Sequence, residues 1–470
     1  MISLIILLNI YFVSFIDKPE KTAPQLSARA FEQREKWHIP TDEMDYPVSP
    51  LYQNELRKAG AKIHHVSRWF NGVTAEMDEE TAEKVKGLKF VTGIEMTRDN
   101  SFSSQSESKR RIPSLSKQDT VQTGIPTDEQ LALYNLPPLH AAGFEGQGIV
   151  MAVCDGGFYN AQTMRCFRQK ELELGHFDFT DDADDFYGST GAHGTQCLSS
   201  ISGLAENYKG AATKAQYYLM RAEENDTESP KEMDNLVAAL EKADSLGVNI
   251  FSVSLGYAMF DNEAWNLPYS ALDGRSTRVS QAATIAARKG MLVCVAAGNE
   301  GNSPWKTIST PADADSILTV GAVNKQGEIG SFSSYGPSAD DRIKPEVCAV
   351  GVQTALINPQ ETIVTSNGTS FATPLLAGLA ACLWSALPDE NAMQIRERII
   401  RSSDRYSTPD KERYGYGIPD AWKAYTMGSE GTGGKLVEIG NTVARKRVQK
   451  GLMLIERQGK TYTITGLPLR

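Results

Sequence analysis

Three residues of this 470-residue chain have the types and settings that acyl-transfer chemistry needs. Ser370 lies in Gly368-Thr369-Ser370-Phe371-Ala372-Thr373-Pro374, just ahead of residues 375–384, which have no polar face. That pattern predicts a buried helix. Its N-terminus would set unpaired N–H groups and a partial positive charge beside the hydroxyl. Asp155 closes the apolar run Ile149-Val150-Met151-Ala152-Val153-Cys154 and is followed by Gly156-Gly157. This reads as a buried parallel strand with a carboxylate at its C-terminal end, the edge where open α/β sheets gather their chemistry. His193, one of six histidines, opens His193-Gly194-Thr195 and a helix of small residues. A serine hydroxyl is a weak nucleophile at neutral pH; it needs a base within hydrogen-bond reach, and the base needs an orienting acid. Taken singly, the segments describe equally well a helix cap, a surface histidine and an Asp-Gly turn.

Together, in the order Asp, His, Ser, they resemble the subtilase family of serine peptidases. The resemblance extends to Ser254-Leu255-Gly256, to Ala296-Ala297-Gly298-Asn299-Glu300-Gly301 and to Tyr414-Gly415-Tyr416-Gly417-Ile418-Pro419-Asp420-Ala421, and covers residues 125–428. One departure is Gly156-Gly157, where many members carry Thr-Gly or Ser-Gly. The resemblance implies a subtilisin-like, mostly parallel α/β sheet flanked by helices, and a serine endopeptidase acting through Asp155, His193 and Ser370. In that scheme Ser370 attacks the scissile carbonyl, His193 takes its proton, and Asp155 fixes the imidazole. The Asn299 amide and the Ser370 backbone N–H form the oxyanion hole. Ser254, Leu255 and Gly256 form one wall of the substrate pocket, Ala296, Ala297 and Gly298 the other, and Ser309 its base. Substrates are proteins or peptides, and no cofactor is needed for the chemistry. Two other classes share these residues. A peptide ligase or macrocyclase uses the same acyl-enzyme with water excluded, and residues 257–275 are long enough for a lid. A silent peptide-binding protein would keep the groove without the reaction.

The rest of the chain must position and regulate this set. Hydrophobic residues make up 41% and charged residues 23%, as in globular proteins, and the length calls for more than one domain. The net charge of −10 lacks the basic footprint of a nucleic-acid binder. Residues 1–16 are almost wholly apolar and read as a signal-peptide core or an N-terminal membrane anchor, without a basic start or an Ala-x-Ala site. This places the protein outside the cytoplasm, secreted or periplasmic. Residues 27–98 alternate helix and strand patterns and resemble the inhibitor-type propeptide of subtilases, a small α+β domain that would act as an intramolecular inhibitor. Its last strand is expected over residues 90–96.

Residues 99–126 are serine-rich, with Lys109-Arg110-Arg111 among them, and read as a flexible processing linker. The peptidase domain is then 127–428. The tail, 429–470, starts glycine-rich, turns basic at Arg445-Lys446-Arg447, and is expected to form a β-hairpin around Gln458-Gly459. Six cysteines (154, 166, 197, 294, 348 and 382) fall mostly inside apolar segments and are expected to be free, buried thiols. Asp178, Asp181, Asp182, Asp184 and Asp185 form an acidic segment open to calcium but without the spacing of a known loop. It reads as a solvated loop, and a structural calcium stays unassigned.

Overall fold

Val150–Asp155, Ile250–Val253 and Leu292–Ala296 are buried at every residue in the computed structural model, as strands covered on both faces must be. They are the centre of a seven-stranded sheet. Its order is Val347–Val350, Leu318–Val323, Leu292–Ala296, Ile250–Val253, Val150–Asp155, Gln216–Arg221, Glu173–Asp178, and every pairing is parallel. The structure describes residues 7–20, 22–100, 127–167, 170–180, 185–188, 191–224 and 227–427, and the strands Leu115–Val121, Ala444–Gln449, Leu452–Arg457 and Lys460–Thr463.

On one face of the sheet lie the helices His193–Ser202 and Thr369–Ala386. The second is apolar all round and buried over almost its full length, as its sequence requires. On the other face lie Lys231–Leu246 and Arg278–Arg288. All six cysteines are buried and free.

The N-terminal domain differs from the sequence expectation at its start. Asn9–Phe15, read above as part of an apolar leader, is strand β1, an inner strand of a four-stranded antiparallel sheet. With helices α1 (Ala28–Trp37), α2 (Pro50–Ala59) and α3 (Glu79–Lys86), and strands β2 (Lys62–Ser67), β3 (Gly72–Met77) and β4 (Val91–Arg98), it forms one α+β unit in the sheet order β2-β3-β1-β4. The domain therefore begins before residue 27. Residues 1–6 lie outside the described residues. Apolar composition misled because both faces of this sheet are covered: Tyr11, Val13 and Phe15 pack with Leu56, Ala82 and Val85, while Phe12 lies under the guanidinium of Arg278, 4.1 Å from its ring centre.

This unit docks on the helices Lys231–Leu246 and Arg278–Arg288 through buried charges. Asp45 pairs with Arg34 at 2.7 Å and Lys289 at 2.9 Å, and Asp244 with Arg34 at 2.8 Å and Arg68 at 2.6 Å. Glu241 accepts from the Arg68 N–H at 2.9 Å and from the Ser67 hydroxyl. Burial pushes its carboxyl up to about 7 even against the adjacent Arg68. His65 and Asn235 add a hydrogen bond of 2.9 Å.

Inside the expected linker, Leu115–Val121 is a strand paired antiparallel with Ile363–Asn367, so an open sheet edge overrides its polar composition. The basic triplet 109–111 lies outside the described residues, as do residues 181–184 of the acidic segment. Residues 426–470 form a separate unit. Its three described strands pair antiparallel in chain order, one strand more than the expected hairpin.

Candidate active site

Three neighbouring strands deliver residues to one edge of the sheet. Asp155 ends its strand, Ser254 follows Ile250–Val253 directly, and Asn299 lies just beyond Leu292–Ala296. Two helix N-termini face this edge, one beginning at His193 and the other at Thr369, immediately before Ser370.

Asp155 is fully buried, and its Oδ1 accepts from His193 Nδ1 at 2.8 Å and from the Gly156 N–H at 2.8 Å. With Nδ1 carrying the proton, Nε2 is the basic nitrogen. Burial lowers the imidazole's proton affinity, but the charge and hydrogen bond of Asp155 outweigh it and hold His193 well above its ordinary value. Gly194 lets the helix come this close: a Cβ there would stand 2.4 Å from the Gly157 carbonyl and 2.9 Å from Asp155 Cβ.

Ser370 and Ser254 clasp each other. Ser254 Oγ donates to the Ser370 carbonyl at 2.8 Å, and Ser370 Oγ donates to the Ser254 carbonyl at a longer 3.4 Å. The long bond leaves the Ser370 hydroxyl weakly held, and Ser254 uses its side chain on the helix rather than on a pocket wall. Asn299 Oδ1 accepts from the Thr369 N–H at 2.9 Å and from Thr369 Oγ1 at 3.0 Å, which fixes the amide with Nδ2 on the other side. Among the described residues, neither Asn299 Nδ2 nor the Ser370 N–H has an acceptor, so two donors stand ready for developing negative charge.

The expected pocket residues also converge. Gly256, Gly298 and Ser309 meet: a Cβ on Gly256 would lie 2.2 Å from Ser309 Oγ, and one on Gly298 3.5 Å from it. Gly298 has φ +108°, open to glycine at little cost. Ser309 Oγ is buried and, among the described residues, has no hydrogen-bond partner. Leu255, Ala296 and Ala297 are buried beside these positions. Residues 257–275 are pinned to the domain by Tyr257, Phe260 and Leu272, all buried.

Cys197 was not singled out by sequence, although four residues after His193 put it on the same helix face. Its Sγ lies 3.9 Å from His193 Nδ1 and 3.3 Å from the Ser370 carbonyl, and burial pushes the thiol up to about 11. With Leu356, Val364 and Phe371 it forms a small apolar cluster. The Phe371 ring stands 5.2 Å from the imidazole and holds it from the side. Asp155, His193 and Cys197 lie close enough to share a metal ion, but the thiol is protonated at neutral pH, which favours packing. A cavity of about 690 Å³ at the far end of the His193 helix, lined by Phe167, Tyr217 and Ile357, holds no residue of this site.

A carboxylate–imidazole pair, a serine at a helix N-terminus and, among the described residues, two unengaged N–H donors lie at the C-terminal edge of a parallel sheet, and these are the groups that a hydrolase of the serine-nucleophile class uses. The chain belongs to the subtilase family, whose profile matches residues 146–417, and residues 10–113 match the peptidase S8 propeptide domain of Bacteroidota. It is a subtilisin-like serine endopeptidase carrying an N-terminal propeptide domain. Subtilisin DY of Bacillus licheniformis is 29% identical over 304 residues, which span 64% of this chain and 96% of that protein. Subtilisin E of Bacillus subtilis (strain 168) is 26% identical over 347 residues, spanning 73% and 78%. In fold the chain is similar to MycP1 from the ESX-1 type VII secretion system, with a TM-score of 0.52, 22% identity and coverage of 67% of this chain and 90% of that one. It is also similar to the prenylagaramide maturation protease PagA, with a TM-score of 0.50, 23% identity and coverage of 62% and 98%.

Proposed function

We propose that the protein is made as a proenzyme and hydrolyses peptide bonds through Ser370, His193 and Asp155. Ser370 Oγ turns from the Ser254 carbonyl toward His193 Nε2, gives up its proton there and attacks the scissile carbonyl carbon. The oxyanion is received by Asn299 Nδ2 and the Ser370 N–H. His193 then hands the proton to the leaving amine; water, deprotonated in turn by His193, attacks the acyl carbon, and His193 returns that proton to Ser370 Oγ as the ester bond breaks. Asp155 stays ionised and stabilises the imidazolium. The observation that carries this reading is the 2.8 Å Asp155–His193 bond beside a serine whose helix offers a free N–H.

Substrate enters as an extended strand along Ser254-Leu255-Gly256, with the side chain before the cut between Gly256 and Gly298, above Ser309. The propeptide domain occupies the approach to this groove until it is cut away. In support, the last residue of β4, Arg98, pairs with Glu224 at 3.3 Å, and Glu224 follows the strand whose Arg221 lies in register with Asp155. The enzyme acts outside the cytoplasm. Mass spectrometry of a peptide library treated with matured enzyme tests the reaction: hydrolysed products are expected, whereas joined or cyclised products would overturn hydrolysis in favour of ligation.

A further inference from the structure

Pro374 lies inside the helix Thr369–Ala386. A helical carbonyl normally accepts from the N–H four residues on; proline has no N–H, and its ring crowds that carbonyl out of line. The carbonyl deprived in this way belongs to Ser370. Ser370 is buried, and a buried backbone carbonyl left without a donor costs about as much as a lost hydrogen bond. This carbonyl therefore needs partners from outside its own helix.

Two side chains supply them, each from a different element. Ser254 Oγ donates to the Ser370 carbonyl at 2.8 Å, and Cys197 Sγ donates to it at 3.3 Å. The buried thiol keeps its proton at neutral pH and so acts as a donor, a weaker one than the hydroxyl. Ser254 and Cys197 are also in contact with each other, Sγ to Oγ at 3.6 Å.

The origin of the two donors decides what they hold together. Ser254 follows the strand Ile250–Val253, and its N–H donates to the carbonyl of Cys154, the residue before Asp155, at 3.4 Å. Cys197 lies on the helix His193–Ser202, one turn beyond His193. A single carbonyl thus ties the first turn of the Ser370 helix to the sheet edge that carries Asp155 and to the helix that carries His193. Ser370 Oγ hangs from the same residue, so the place of that carbonyl sets where the hydroxyl stands relative to His193 Nε2.

We propose that Ser254 and, more weakly, Cys197 are positioning residues: they take the place of the N–H that Pro374 lacks and hold the Ser370 turn within reach of the imidazole. This rests on the reading of Ser370 as the nucleophile. In this role neither side chain touches the scissile bond or passes a proton. When Ser370 Oγ turns from the Ser254 carbonyl toward His193, the bond from Ser254 Oγ to the Ser370 carbonyl stays, and the hydroxyl swings on a fixed backbone. Displacing such a group by about 1 Å costs on the order of a hundredfold in rate.

The test compares the matured wild type with Ser254→Ala, Cys197→Val, Pro374→Ala and the double variant Ser254→Ala, Pro374→Ala. Steady-state kinetics are read beside the rate at which a fluorophosphonate modifies Ser370. Ser254→Ala should lower kcat and the modification rate roughly tenfold to a hundredfold, with KM within about twofold of wild type. Cys197→Val, which keeps the apolar volume, should lower both rates about threefold. Pro374→Ala restores an N–H inside the helix, so in that background the loss on removing Ser254 Oγ should shrink at least about threefold. An equal loss in both backgrounds, or a Ser254→Ala variant that changes only KM, would overturn the proposal. If Ser254→Ala does not fold, Cys197→Val combined with Pro374→Ala reads the same carbonyl, and purely additive effects there would overturn it too. A wild type left unmodified at Ser370 would instead overturn the nucleophile; a modified wild type with unmoved variants overturns the positioning alone.

Discussion

Thr369 Oγ1 donates to Asn299 Oδ1 at 3.0 Å while accepting from the Gly298 N–H at 3.2 Å. One threonine thus orients the Asn299 amide and ties down Gly298, the two groups proposed to receive the oxyanion and to wall the pocket. Because the bond holds the acceptor side of Asn299, the donor side is preset before substrate arrives, which is how such a group stabilises charge without reorganising.

The first prediction follows from that pairing. Asn299→Ala should lower kcat by about 10²–10³, the loss known for the corresponding asparagine of subtilisin itself, with little change in KM. Thr369→Val should lower kcat by a smaller factor, again leaving KM in place. Steady-state kinetics of the two variants decide it; a Thr369→Val variant that changes only KM would contradict an orienting role.

A second prediction concerns pH. His193 acts as a base only when neutral, and Asp155 holds it well above its ordinary value. Activity is therefore lost as pH falls through the raised value. The acid limb of kcat/KM should lie above about 6.5, dropping tenfold per pH unit below it. Asp155→Asn should move that limb downward and cost about 10⁴ in kcat. A wild-type limb at or below pH 6 would contradict the strength of the Asp155–His193 bond.

Specificity should depend on Ser309, whose hydroxyl is buried against Gly256 and Gly298 with no partner among the described residues. Such a hydroxyl favours a side chain with a polar tip. Ser309→Ala should leave cleavage after leucine or phenylalanine nearly unchanged and lower kcat/KM about tenfold for a polar residue such as glutamine. Library profiling of both enzymes reads the difference directly. Equal profiles would remove Ser309 from the pocket.

The docked propeptide rests on Arg68, which reaches Asp45, Asp244 and the Glu241 carbonyl from a buried position. Removing Arg68 takes the guanidinium from beside buried Glu241 and one of several charge partners from Asp45 and Asp244, which Arg34 still serves, at a cost of about 2–5 kcal/mol. A folded fragment spanning Asn9 to Asn100 should inhibit the mature enzyme in trans, and Arg68→Ala should raise its inhibition constant at least about thirtyfold. A folded wild-type fragment that leaves hydrolysis untouched at high micromolar concentration would make this an accessory domain.

Much of the site was legible because each part is local: an apolar run ending in Asp155, a glycine-flanked His193, Ser370 at the mouth of an all-apolar helix. Elements fixed by distant partners were not. β1 lacks polar alternation because the catalytic domain covers one face of its sheet, so it read as a leader. Leu115–Val121 owes its strand to the edge of Ile363–Asn367, and Cys197 matters through neighbours far away in sequence. At the departure Gly156, a Cβ would stand 2.5 Å from Glu223 Oε2, a neighbour that the sequence does not place there.

The central claim is that Ser370, activated by His193, is the nucleophile. Its most direct test is intact-protein and peptide mass spectrometry after treatment with a fluorophosphonate. One phosphonyl adduct on Ser370 is expected in the wild type, and none in Ser370→Ala, whose kcat should fall about 10⁶-fold, as in subtilisin when its nucleophile is removed. An adduct at another residue, or labelling and turnover that persist in Ser370→Ala, would contradict the account.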